Sequence, residues 1–134
     1  MTGFVLHLQA TTQYERIADV ISLVAEDSSG RFGILPGHER LITTLIPGLA
    51  CFRTSQQAAW QYLALPGCVL YFADNALFIN TRRYLRGADH AGLSAALEQQ
   101  LLAEERELAQ IRQSVHRLEE AVFKRLWQLN RHIL

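Results

Sequence analysis

Five histidines, two cysteines and thirteen carboxylates are the groups in this 134-residue chain with acid–base, nucleophilic or metal chemistry. Their spacing argues against each of those uses. His7, His38, His90, His116 and His132 form no HxH or HExxH pattern, the spacings that aim two imidazoles at one ion. Cys51 and Cys68 form no CxxC and sit in the apolar strings Ala50-Cys51-Phe52 and Gly67-Cys68-Val69. They read as buried, inert thiols in a reducing setting. Asp27 and Asp74 lie in turn clusters, where a carboxylate bonds to nearby backbone N–H groups. His38 follows Pro36-Gly37 in a turn, which suits either a backbone hydrogen bond or an interface contact. Residues 30–38 are the one glycine-dense stretch. It matches neither GxxxxGK[ST] nor GxGxxG, and Pro36 removes one N–H that a phosphate cradle would need. No acid–base or nucleophile–base pair stands out, so no enzyme, cofactor or metal is expected.

The elements that carry these residues divide the chain in two. Residues 1–87 hold seven of the eight glycines and all three prolines, whereas residues 88–134 hold only Gly92. Frequent breakers predict short strands, and their absence predicts helix. Phe4, Leu6 and Leu8 alternate with Val5, His7 and Gln9, and polar Thr11-Thr12-Gln13 ends that strand. Further strands are expected at Ile17–Val24, Phe32–Leu35, Leu41–Ile46, Leu49–Arg53, Ala58–Leu65, Cys68–Phe72 and Ala76–Thr81. Thr54 to Gln57 and Ala73-Asp74-Asn75 read as hairpin turns. The cluster 26–30 is another turn. Gly30 and Gly33 would allow positive φ or close approach, and Gly37 after Pro36 fits a type II turn. The fold class is therefore α+β: a β-sandwich or flattened barrel of about 8–10 short strands over 1–87, then an α-helical tail over 88–134.

In the tail, Leu93, Leu97, Leu101, Leu108, Ile111, Val115, Leu118, Val122, Leu126, Leu129 and Ile133 advance by three or four, save across Glu104. That spacing marks one face of a helix, with Asp89 as the expected N-cap. Residues 93–113 carry four Glu and two Arg; residues 114–134 carry two Glu and four Lys/Arg. Acid early and base late complement the helix dipole. Glu120 and Lys124 stand in the favourable i,i+4 order. The stripe keeps phase through Ser114, which favours one continuous or kinked helix over a hairpin broken near 113–116. A helix of 42 residues would run about 63 Å and need a partner.

Composition excludes more. Lys+Arg and Asp+Glu both total 13, so charge-driven nucleic-acid binding is not expected. No apolar run reaches the ~18–20 residues that span a bilayer. Met1-Thr2-Gly3-Phe4-Val5 lacks a basic and then apolar leader, so no signal peptide is expected.

The string Gly30-Arg31-Phe32-Gly33-Ile34-Leu35-Pro36-Gly37-His38 is followed by Leu41-Ile42-Thr43-Thr44-Leu45-Ile46-Pro47-Gly48. With a sandwich strand pair and a helical tail after it, this closely resembles the epsilon subunit of F-type ATP synthases along essentially the whole chain. The resemblance implies a non-catalytic rotor component at the foot of the central stalk. Implied partners are the gamma subunit, the membrane ion-carrying ring and, through the tail, the catalytic alpha/beta head. No nucleic acid and no direct membrane insertion are implied. The implied place is peripheral, on the cytoplasmic face of the inner membrane. Ser28, Ser29, Gly30, Arg31 and Phe32 match the ring-facing turn. Pro36, Gly37, His38, Leu41, Thr43 and Leu45 match the stalk-contact turn and strand. Leu97, Leu101, Leu108, Ile111, Val115, Leu118, Val122, Leu126 and Leu129 match a regulatory helix face that restrains ATP hydrolysis. The chain also departs from the pattern. Arg31 stands where the family's tip is often acidic, Pro66-Gly67-Cys68 replaces Gly-Gly-Phe, and an Ile-Asp-x-x-Arg-Ala nucleotide string is missing. Lys124, Arg125 and Arg131 suit a solvated helix face as well as they suit a nucleotide. These departures point to a divergent branch, of the kind some bacteria carry as a second ATPase copy. The alternative function is an adaptor whose helix docks into a partner coiled coil.

Overall fold

The computed structural model describes residues 3–133, with side chains through residue 130. The expectations for Met1 and Thr2, and for the side chains of Arg131, His132 and Ile133, lie outside the described residues. Among the described residues, nine strands precede one helix: β1 Phe4–Gln9, β2 Tyr14–Asp27, β3 Gly30–Ile34, β4 Leu41–Leu45, β5 Gly48–Thr54, β6 Gln61–Leu65, β7 Cys68–Ala73, β8 Ala76–Thr81, β9 Leu85–Gly87 and α1 His90–Ile133. The α+β architecture and the continuous helix are as the periodicities imply.

The strands follow the order β1-β8-β7-β4-β2-β5-β6-β9, with β3 on β2 and a further β1–β2 pairing. β2 is the hinge of the sandwich. Its first half pairs with β1, and its second half lies between β3 and β5. The register slips between these halves, where Asp19 takes φ 57, so β2 bends through a bulge from one layer to the other. The inward residues of both layers meet in one core. Phe4, Leu6, Leu8, Leu23, Ile34, Phe52, Leu63, Leu70, Phe72, Leu77 and Ile79 are all fully buried. Each such side chain contributes about 1.5–3 kcal/mol through burial. Phe4 and Phe72 meet edge to face at 5.5 Å, the favoured arrangement of two ring quadrupoles.

Some boundaries differ from expectation, for physical reasons. β2 begins at Tyr14 rather than Ile17, because Glu15 and Arg16 pair with β1 despite their charge. The strand expected from Ala58 begins at Gln61, and Trp60 before it lies under the Arg53 guanidinium at 5.0 Å. β9 was not expected, and it pairs with the edge of β6. Gly33 needs no glycine conformation. Its φ is not positive, and a Cβ there would meet only the Leu23 carbonyl oxygen, at an ordinary 3.8 Å.

The chain divides into two compact units, residues 1–98 and 99–134. The first two turns of α1 belong to the first unit. There, Leu97 is 5% exposed, Leu93 lies against Gly87, and His90 meets Tyr62 edge to face at 5.1 Å. Asp89 is in the N-cap position: its carbonyl accepts from the Leu93 N–H at 3.1 Å. Within the second unit, apolar residues from Leu108 to Leu129 are about half exposed or more.

Candidate functional site

Three surface features collect the candidate residues. The first is the β2–β3 turn. Asp27 pairs with Gly30 across a two-residue loop, Ser28-Ser29, and Gly30 takes φ 123. The Asp27 carboxylate accepts the Ser29 N–H at 2.8 Å and also its hydroxyl. Its other oxygen accepts the Thr43 hydroxyl at 2.9 Å. These bonds to the charged form, the Ser29 hydroxyl first, hold the Asp27 carboxyl below its ordinary value. The turn is thereby rigid and tied to β4. Arg31 is exposed and stands opposite Glu26 in the β2–β3 register, while Phe32 packs on the core. Beside this turn lies a cavity of about 240 Å³ whose lining includes Glu26, Arg31, His90 and Ser94.

The second feature is the Pro36-Gly37 turn. The His38 N–H donates to the Leu35 carbonyl at 3.1 Å and Gly37 takes φ 80, which is the type II turn the dipeptide predicts. Asn75 holds it from the β7–β8 turn. Asp74 and Asn75 both take positive φ there, as a two-residue type I′ hairpin requires. The Asn75 side-chain oxygen accepts the Gly37 N–H at 2.6 Å, and its carbonyl accepts the Val5 N–H at 3.1 Å. His38 Nδ1 lies 2.7 Å from the Glu39 carbonyl oxygen, and its ring meets the edge of Phe72.

The third feature was not read from the sequence. Leu41 and Leu45 point inward, toward the core, so the outward residues of β4 are Ile42 and Thr44. Ile42 is 70% exposed. Strand register extends it into a row on the outer face of one layer: Ile42 beside Tyr71, Tyr71 beside Phe78, Phe78 beside His7, His7 beside Arg16. His7 stacks on Phe78 at 4.6 Å, and its Nδ1 is 2.7 Å from the Tyr14 hydroxyl. Val69 and Tyr14 widen this patch, at 40% and 56% exposed. Aromatic residues at outward positions of alternating strands are the signal that could have found it.

The two thiols and the Glu15 carboxylate have structural roles. Burial pushes the Cys68 thiol up to about 12 and raises Cys51 as well, so neither is a nucleophile at neutral pH. Glu15 accepts the Tyr84 hydroxyl at 2.6 Å and pairs with Arg86 at 2.6 Å, and Arg86 donates twice to Gln61. This network fastens β9. Among the described residues, no three His, Cys, Asp or Glu side chains converge as a metal site. No helix among them is long and apolar enough to cross a membrane.

The family model described as ATP synthase, Delta/Epsilon chain, beta-sandwich domain, matches residues 5–87. The chain belongs to this family. It is similar to "ATP synthase epsilon chain 2" of Cereibacter sphaeroides, 35% identical over a 99-residue alignment that covers 71% of this chain and 67% of that one. It is also similar to the ATP synthase epsilon chain of Herminiimonas arsenicoxydans, 35% identical over 88 residues, 66% of this chain and 61% of that one. The alignments thus span about two thirds of these relatives' lengths. A chain in the Euglena gracilis mitochondrial ATP synthase structure (OSCP/F1/c-ring, rotational state 1) has the same fold. It shows TM-score 0.59 and 22% identity, and the match covers 74% of this chain and 64% of that one. The glycine turn and Ile34-Leu35-Pro36-Gly37-His38 lie inside the matched region, so the epsilon-family resemblance holds where its motifs are.

Proposed function

We propose that this chain is a non-catalytic central-stalk subunit of an F-type ATP synthase, coupling rotation of the membrane ring to the catalytic head. The observation that carries this reading is the family match across nearly the whole sandwich, residues 5–87. The rigid turns fit a part that must transmit torque without deforming. On this reading the Ser28–Phe32 turn faces the ring, with exposed Arg31 as its one cation. The Pro36–His38 turn and the outer row from Ile42 to His7 face the gamma subunit, and Thr43, on the opposite side of β4, braces the Asp27 turn. Leu41 and Leu45 support that surface from below.

The helical face from Leu101 to Leu129 is the regulatory element, which engages the gamma subunit and the alpha/beta head and restrains hydrolysis. Leu97 instead anchors the helix start. The subunit acts peripherally at the cytoplasmic face of the inner membrane, held there by its partners. Ending the chain after Glu98 tests the regulatory part. It keeps the whole first unit, including β9 and the buried Leu97. Assembled complexes carrying this shortened chain should hydrolyse ATP faster than those with the full chain. Equal rates would remove the inhibitory role and leave the structural one.

A further inference from the structure

We propose that the free chain pairs with a second copy of itself through an antiparallel coiled coil centred between His116 and Arg117 of α1. Leu108, Val115, Val122 and Leu129 recur every seven residues, and Ile111 and Leu118 fall three residues after the first two of these. That is the a/d pattern of a coiled-coil seam. All six side chains are 47–64% exposed, on a helix unbroken from His90 to Ile133. The d positions on either side of Ile111 and Leu118 are charged: Glu104 and Arg125.

Those charges select the arrangement. A parallel pair in register would set Glu104 against Glu104 and Arg125 against Arg125 inside the seam, where like charges are costly. An antiparallel pair avoids both contacts. With the axis between His116 and Arg117, Val115 of one protomer meets Leu118 of its partner, and Ile111 meets Val122. Leu108 then meets the aliphatic stem of Arg125, whose guanidinium reaches water at the seam's edge. The flanking e positions place Arg112 of one protomer beside Glu119 of the other, twice by symmetry. The antiparallel register one layer away would set Arg112 against Arg112 and Glu105 against Glu119. The wider distribution agrees: residues 93–113 hold four Glu and two Arg, and residues 114–134 hold two Glu and four Lys/Arg. Antiparallel pairing lays the acidic half on the basic half.

One consequence rests on the stalk reading above: a paired tail hides the stripe that would otherwise restrain hydrolysis, so pairing and regulation exclude each other. The pairing itself does not depend on that reading.

Sedimentation equilibrium of the full chain, from low micromolar to near-millimolar concentration, tests the pairing with no ATPase present. A reversible monomer–dimer equilibrium is expected. Val115→Asp with Leu118→Asp should leave a monomer with unchanged helix content, since both residues are exposed. Glu119→Arg should weaken the dimer about tenfold by turning two attractions into repulsions. Adding Arg112→Glu should restore it. A parallel dimer would show no such rescue, because Arg112 would then flank Glu107 rather than Glu119. A chain that stays monomeric throughout overturns the proposal. So does a dimer indifferent to the Val115/Leu118 change, or one without the rescue.

Discussion

Replacing Glu15 should loosen β9, and the size of the effect follows from its two contacts. Tyr84 is 5% exposed and donates its hydroxyl to Glu15 at 2.6 Å. A hydrogen bond to a charged acceptor contributes about 1.5–3 kcal/mol, and leaving that hydroxyl unpaired costs as much. The Glu15–Arg86 pair is 2.6 Å apart, with side chains 31% and 33% exposed. Solvent screening limits its share to about 1 kcal/mol or less. Glu15→Gln keeps an acceptor for Tyr84 and loses the charge, so it should cost about 1 kcal/mol. Glu15→Ala loses both contacts and should cost about 2–3 kcal/mol. In the double cycle with Tyr84→Phe, about 1 kcal/mol or more should appear as coupling.

Urea unfolding followed by Trp60 fluorescence, with Trp127→Phe as background, reads these differences. The pH dependence carries a sign. The Tyr84 hydrogen bond, then Arg86, hold the folded-state Glu15 carboxyl below its ordinary 4.5, against the opposing effect of burial. The unfolded state therefore takes up the proton first as pH falls. The stabilisation is complete above the ordinary value and is lost as pH drops through the folded one. The gap between wild type and Glu15→Gln should thus narrow below pH 4.5. Additive effects of Glu15→Ala and Tyr84→Phe, or a gap that widens in acid, would refute this account of β9.

Other perturbations have distinct outcomes. Phe72→Ala empties a fully buried site against Phe4 and His38 and should cost about 3–5 kcal/mol in chemical denaturation. Gly37→Ala forces a side chain to φ 80 and should lose about 1 kcal/mol, with amide exchange rising at the 35–38 turn before elsewhere. Asn75→Ala should release that same turn through the lost bond to the Gly37 N–H; unchanged exchange there would contradict its anchoring role. Arg31→Glu should lower ion pumping per ATP hydrolysed if the tip faces an acidic ring surface, and unchanged coupling would leave Arg31 a solvated turn residue.

Much of the fold was legible because local chemistry and global structure agree. Asp74-Asn75 supplied the hairpin, Pro36-Gly37 the type II turn, and the breaker-free stretch after Gly92 the single helix. The misses are long-range. Strand β2 is extended through Glu15, Arg16 and Asp19, whose polarity breaks the expected alternation and whose partners lie on β1, on β9 and, at Ser55, just beyond β5. Strand β9 has three residues and no period. Contacts spanning 69 and 71 residues of sequence hold it. The row from Ile42 to Arg16 exists only through the register of five strands, which no single segment encodes. Motif matching alone gave Leu41 and Leu45 as contact residues, and strand alternation then turned them inward and exposed Ile42.

Titration of the purified gamma subunit of the same ATP synthase with this chain tests the central claim most directly. The account predicts saturable one-to-one binding, weakened severalfold or more by Ile42→Asp on the exposed row, with the sandwich still folded. No complex between gamma and a folded chain would contradict the stalk assignment.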